Sequence, residues 1–159
     1  MAICPGTFDP VTNGHLDVIS RTSAMYDQVV VAVVNLPWRK GKTVFSTEER
    51  VHFLEKATRS LPNISVEPFS TLLVDFARDR GAMTIVKGLR AISDFEYELE
   101  LHQLNHHQAP EIESVYLMAS GKYSFLSSSG VKELATFGGE IDDLVPADVA
   151  KALKERLGR

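Results

Sequence analysis

Short apolar runs alternate with amphipathic stretches along this chain. Ala2-Ile3-Cys4 predicts a short first strand, stopped by Pro5-Gly6, with a polar loop from Thr7 to Thr12 behind it. Asn13 fits an N-cap for a helix to about Ala24, with Leu16 and Ile19 on one face. Gln28 to Val34 is dense in β-branched residues and predicts a strand buried on both faces. A basic loop with a proline, Leu36 to Val44, comes next. Ser46 and Glu49 then form a capping-box pattern before a helix to about Ser60. Ile64 to Val66 reads as a third strand, Ser70 to Arg80 as a helix ended by Gly81, and Thr84 to Val86 as a fourth strand leading into a Lys-Gly-Leu-Arg turn. Ser93 to His107 predicts a long helix, Ser114 to Met118 a fifth strand, and Ser127 to Thr136 and Pro146 to Leu157 two last helices.

Strands alternating with helices of this length imply βαβ units with right-handed crossovers. The expected fold is therefore α/β: a doubly wound, five-stranded parallel sheet in one domain over 1–159, with C-terminal helices from about 127 onward. Ligands of such sheets sit beyond the carboxyl ends of the strands. That points to the loops after Cys4, Val34, Val66, Val86 and Met118.

Composition narrows the partners. Seventeen basic against 21 acidic side chains give a formal net charge of −4, which argues against a nucleic-acid coat or a polybasic membrane anchor. The one cysteine, Cys4, forms no intramolecular disulfide, and a reducing compartment is expected. No apolar run approaches the length of a membrane span, and no signal segment opens the chain.

Three stretches can carry chemistry. The loop Pro5 to Gly14 delivers His15 into the first turn of a helix, where free N–H groups and the dipole favour an anion. The other reading of it is a capped helix with an incidental histidine. Lys87-Gly88-Leu89-Arg90 brackets a glycine with two cations at a strand end, a phosphate site or else a solvated turn. Ser127-Ser128-Ser129 opens a helix with three hydroxyls, with Lys132 a turn further on, a phosphate cradle or else an overbuilt cap. Together they offer donors, cations and a histidine but no nucleophile–base pair, which suits phosphoryl or nucleotidyl transfer. Gly41-Lys42-Thr43 ends like a P-loop, but Leu36 stands where its first glycine belongs; no G-x-G-x-x-G occurs. His102 and His106 lack a zincin's intervening glutamate and, with His107, read as a solvated or subunit-facing surface; no metal ligands are expected.

Thr12-Asn13-Gly14-His15 resembles the T/H-x-G-H signature of the nucleotidyltransferase superfamily, and Ser127 to Lys132 resembles its S-S-S-x-x-R/K signature. Pro5-Gly6-Thr7-Phe8-Asp9-Pro10, Lys87-Gly88-Leu89-Arg90, Asp94-Phe95-Glu96-Tyr97-Glu98 and Tyr123-Ser124-Phe125 narrow the match. In this order and spacing the chain resembles the bacterial phosphopantetheine adenylyltransferases from Ala2 to about Leu157. The resemblance implies a Rossmann-like fold and a reaction in which ATP and 4′-phosphopantetheine give dephospho-coenzyme A and pyrophosphate, with Mg²⁺. It assigns His15 to the α-phosphate and the transition state, with Lys132 as a second catalytic cation. Thr7 would touch both substrates and Phe8 the nucleotide. Gly88, Leu89, Arg90 and Glu98 would line the ATP site, with Tyr123, Ser124, Phe125, Leu126, Ser127, Ser128 and Ser129. Lys87 and Leu73 would face phosphopantetheine. The family's loop lysine after the second strand has no direct match here. Counting from the strand puts Arg39 in its place, with Lys42 next and Lys40 also possible by position. The resemblance further implies a cytoplasmic homohexamer with coenzyme A as a feedback inhibitor. Two alternatives stay open on the residues: a sister nucleotidyltransferase with another phosphorylated acceptor, and a non-catalytic nucleotide sensor.

Overall fold

The computed structural model describes residues 1–36 and 42–158. Five strands are present among these residues: β1 (Ala2–Gly6), β2 (Val29–Val34), β3 (Ile64–Phe69), β4 (Thr84–Leu89) and β5 (Glu113–Met118). They form one all-parallel sheet in the order β3-β2-β1-β4-β5. The helices are α1 (Asn13–Met25), α2 (Thr47–Thr58), α3 (Leu73–Asp79), α4 (Ile92–Gln108), α5 (Ser128–Thr136) and α6 (Ala147–Leu157), with a 3₁₀ turn at Gly121–Tyr123. The expected doubly wound α/β fold is the observed one. Among the described residues no helix is long and apolar enough to cross a membrane.

Alternate residues of the central strands face opposite ways, so each supplies two cores. Cys4, Val29, Val31, Val33 and Val86 pack with Ile19 of α1, Leu54 of α2, Val131 of α5 and Leu153 of α6. Ile3, Val30, Ala32 and Ile85 face the other way, onto Val74, Phe76 and Ala77 of α3. Cys4 is a packing residue of the first core. Burial pushes its thiol up to about 11, so it is not a reactive thiolate.

Three strands run further than their sequences suggested, and two prolines explain part of this. The Ala2 N–H bonds to Gln28 on the β2 side. By alternation, the missing N–H of Pro5 falls on the β4 side. There β1 pairs with β4 only at Ala2↔Thr84 and Ile3↔Ile85, so no rung is lost. Pro68 lies in edge strand β3, and the Phe69 carbonyl accepts from Asn35 on the β2 side, which turns the Pro68 nitrogen outward. Lys87, Gly88 and Leu89 are not a turn. They are the last three residues of β4, in register with Tyr116, Leu117 and Met118. Conversely, α3 is shorter than expected, because Leu72 takes its N-cap position without a side-chain cap.

The early divergence of β1 from β4 opens the sheet at its carboxyl edge. The chain winds from β1 to β2 on one side and crosses to β4 on the other, so this gap is the topological switch point, where ligands of such sheets bind.

Candidate active site

A cavity of about 690 Å³ opens at that gap. Its floor is the end of β1 and the first turn of α1; β4 and α4 form one wall and the Tyr123–Ser129 segment another.

His15 is built into the start of α1. The N-cap is Thr12, not Asn13, and a capping box joins it to the N3 residue. The usual N3 partner is Glu or Gln; here it is the imidazole. The Thr12 N–H donates to His15 Nδ1 at 3.0 Å, and the His15 N–H donates to Thr12 Oγ1 at 3.3 Å. The spacing of Thr12-Asn13-Gly14-His15 is therefore the spacing of a capping box. Because Nδ1 accepts a backbone proton, the neutral ring carries its own proton on Nε2. Nε2 has no hydrogen-bond partner among the described residues. Burial, helped by the Arg90 charge, pushes the His15 pKa down to about 4. At neutral pH the ring is an uncharged N–H donor.

The turn before it is tightly shaped. Phe8 adopts a φ of 51°, in the left-handed region, and its ring packs edge-on against His15 with centroids 5.1 Å apart. A Cβ on Gly6 would stand 2.8 Å from the Phe8 ring, so only glycine leaves room for it. Gly14 differs. A Cβ there would meet its neighbours at 3.5 Å or more, in ordinary contact, so the protein's own packing does not demand a glycine at this edge of the cavity. Gly88 proves to be a packing residue as well, since a Cβ would come within 2.9 Å of Val18 on α1.

The cations are held by acids. Lys87 Nζ lies 2.7 Å from Glu98 across the β4–α4 wall, and both side chains are mostly buried. Arg90 pairs with Asp94 and donates to the Leu126 carbonyl at 2.7 Å. The three serines divide their work. Ser127 caps α5 by accepting from the Gly130 N–H, and Ser128 donates to the Pro10 carbonyl. Ser129 is exposed, and its hydroxyl has no partner among the described residues.

The cavity thus gathers Thr7, Phe8, His15, Leu73, Lys87, Gly88, Arg90, Glu98, Tyr123, Leu126, Ser127, Ser128 and Ser129. It does not gather every residue that the resemblance named. Leu89 is buried beside the wall, while Ser124 and Phe125 are exposed outside it, Phe125 against a separate groove on α5. Lys132 is also outside the lining, with its ammonium 3.0 Å from Asp9. Arg39 and Lys40 fall outside the described residues, and Lys42 is exposed and away from the cavity. Sequence reasoning missed Thr12 as the cap and gave no role to Asp9 or Arg50. Both are buried polar residues at the ends of the central strands. Little in their immediate sequence marks them, because most of their partners lie far along the chain: the Val44 and Phe45 amides and the Lys132 ammonium for Asp9, and the Thr7 and Val34 carbonyls for Arg50.

The profile of the cytidylyltransferase-like family matches residues 3–134. A phosphopantetheine adenylyltransferase of Roseiflexus sp. (strain RS-1) is 50% identical over 159 residues, which is all of this chain and 98% of that protein. Another, from Thermodesulfovibrio yellowstonii, is 51% identical over 97% of this chain and 95% of its own length. The chain belongs to the phosphopantetheine adenylyltransferase family. A solved chain from Vibrio parahaemolyticus, proposed to be a nicotinate-nucleotide adenylyltransferase, superposes with a TM-score of 0.71. It covers 97% of this chain and 91% of its own, at 16% identity, and so speaks for the shared fold alone. In this chain Thr12-Asn13-Gly14-His15 is thus the imidazole capping box at the mouth of α1.

Proposed function

We propose that this chain transfers the adenylyl group of ATP to 4′-phosphopantetheine, giving dephospho-coenzyme A and pyrophosphate in coenzyme A biosynthesis. The observation that carries the reading is full-length likeness to the family, 50% over the whole chain. The donor set at the switch-point cavity supports it.

A phosphate oxygen of the acceptor attacks the α-phosphorus in line. The new P–O bond forms as the bond to the bridging oxygen of pyrophosphate breaks. The nucleophile is already an anion, so it needs no general base and no covalent intermediate. The protein's task is to hold two polyanions together and stabilise charge growing on the α-phosphate. Neutral His15 donates its Nε2 proton to an α-phosphate oxygen as a fixed, uncharged donor. Arg90 and Ser129 hold the triphosphate, Thr7 both substrates, and Lys87 the acceptor phosphate, with Glu98 released or shared as that phosphate arrives. Leu73 takes the apolar arm of the acceptor.

Magnesium, when bound with ATP, spreads the charge of the triphosphate. Among the described residues no group of three or more His, Cys, Asp or Glu could hold a metal, and Asp94 and Glu98 are already paired with cations. Such an ion would take most of its ligands from the triphosphate and water. The same reading makes coenzyme A an inhibitor of this cavity and the reaction cytoplasmic. Helix α4 supports a homohexamer: it has 17 residues and none is buried. One side, with Asp94, Glu98, Leu101 and Asn105, lines the cavity. The opposite side presents Ile92, Phe95 and Leu99 to solvent at 81%, 52% and 44% exposure.

The test is pyrophosphate release from ATP and Mg²⁺ with and without 4′-phosphopantetheine. Release that depends on the acceptor is expected. Release with a different phosphorylated acceptor would replace the substrate, and ATP binding without any release would leave a nucleotide sensor.

A further inference from the structure

Lys132 belongs to the second signature, yet it reaches no part of the cavity. Its ammonium lies 3.0 Å from the Asp9 carboxylate. Asp9 is 4% exposed and also accepts the N–H groups of Val44 at 3.0 Å and Phe45 at 2.9 Å. One buried carboxylate therefore joins three elements: the turn after β1, the approach to α2, and α5. Four residues before Lys132, on the same face of α5, Ser128 donates to the carbonyl of Pro10 at 2.8 Å. The helix thus grips the Thr7–Pro10 turn twice. From the other side, the buried Arg50 donates to the Thr7 carbonyl at 2.6 Å and the Val34 carbonyl at 2.9 Å. The gripped turn carries Thr7, and also Phe8 with its left-handed backbone and its ring against His15.

We infer that Lys132 is a positioning residue that acts through Asp9, setting the Thr7–Phe8 turn against His15, and not a cation that touches phosphate. The inference rests on the adenylyl transfer proposed above. Without Lys132, the buried Asp9 carboxylate keeps only two amide donors. The turn then loses the ammonium that anchors Asp9, while the Arg50 bond to the Thr7 carbonyl and every cavity-lining donor remain in place.

A double-mutant cycle on kcat, read by pyrophosphate release, tests this. Lys132→Met is expected to lower kcat about 10- to 100-fold, with the KM for ATP within about threefold of wild type. Asp9→Asn should cost at least as much. In the Asp9→Asn background, Lys132→Met should cost no more than about threefold further, because the partner through which it acts is already gone. Lys132→Arg, which still reaches a carboxylate, should stay within about fivefold of wild type. The inference is overturned if Lys132→Met costs its full factor in both backgrounds, which is the mark of a direct phosphate contact. It is equally overturned if either single variant loses less than about twofold, or if activity falls only in step with the folded fraction seen in a thermal melt at the assay temperature. Should Asp9→Asn not fold, Asp9→Glu closes the cycle under the same criteria. A wild-type protein that releases no pyrophosphate overturns the proposed reaction, and this inference with it.

Discussion

His15 owes its chemistry to a bond that any helix start needs. The backbone N–H of Thr12 occupies Nδ1 and fixes the tautomer, and burial keeps the ring uncharged. Replacing His15 with Ala removes one preorganised donor. It should lower kcat by about 10²–10³ or more with ATP affinity little changed. Turnover surviving within about tenfold would contradict the role assigned here. The protonation state is separately measurable. Nitrogen-15 NMR should show the Nε2–H tautomer at pH 6, with the ring titrating near about 4. Titration above pH 6 would remove the argument for a neutral donor. The linkage has a definite sign. An unfolded chain takes up this proton near pH 6.5, well above the folded value, so the stability held by the neutral ring is full above about 6.5 and is lost as the pH falls toward 4. Thr12→Ala should reduce stability through the lost side-chain cap while the Nε2–H tautomer persists, because the Thr12 backbone N–H remains, and Thr12→Ser should restore the stability, both read by thermal melts and the same NMR signal.

The helices and strands show what could be read from sequence and what could not. Ser46 and Glu49 announce their capping box locally, and the structure contains it. The apolar run of β2 announces burial on both faces, and its alternate residues enter both cores. Most residues of the T-x-G-H and serine stretches meet at one cavity, as their places after strand ends suggest. The ends of β1 and β4 were hidden, since whether Pro5 or Gly88 stops a strand depends on which neighbour still pairs there. The division of labour among Ser127, Ser128 and Ser129 was hidden too, because the Pro10 carbonyl is over a hundred positions away in sequence. Gly88 illustrates the distinction. It reads as a glycine for a ligand, yet its space is filled by Val18 of α1. Gly88→Ala should cost about 1–3 kcal/mol by overpacking, measured by urea unfolding, and Val18→Ala in the same chain should recover at least half of it. A double variant no more stable than Gly88→Ala alone would show that the clash is not the cause.

At the scale of the molecule, the sheet, the flanking helices and the cavity form a continuous structure except along α4. That helix contributes side chains to the cavity and none to the core. Light scattering on the wild-type chain should give a hexamer mass. Ile92→Asp with Phe95→Asp should reduce it to smaller species, because the pair places charge on the outward stripe without touching the cavity face. A monomeric wild type would rule out that assignment of the stripe.

The position of α4 also bears on how the protein would behave when diluted. A wall that lacks a core of its own is only as firm as whatever covers its outer side. In an assembly held through Ile92, Phe95 and Leu99, the neighbour steadies Asp94 and Glu98, and through them the postures of Arg90 and Lys87. Each vacated interface would leave one cleft slacker, and specific activity per chain would drop as the protein concentration falls. By reciprocity, ligands that tighten the cleft would strengthen the association, so the dissociation constant of the assembly should shrink when ATP is present.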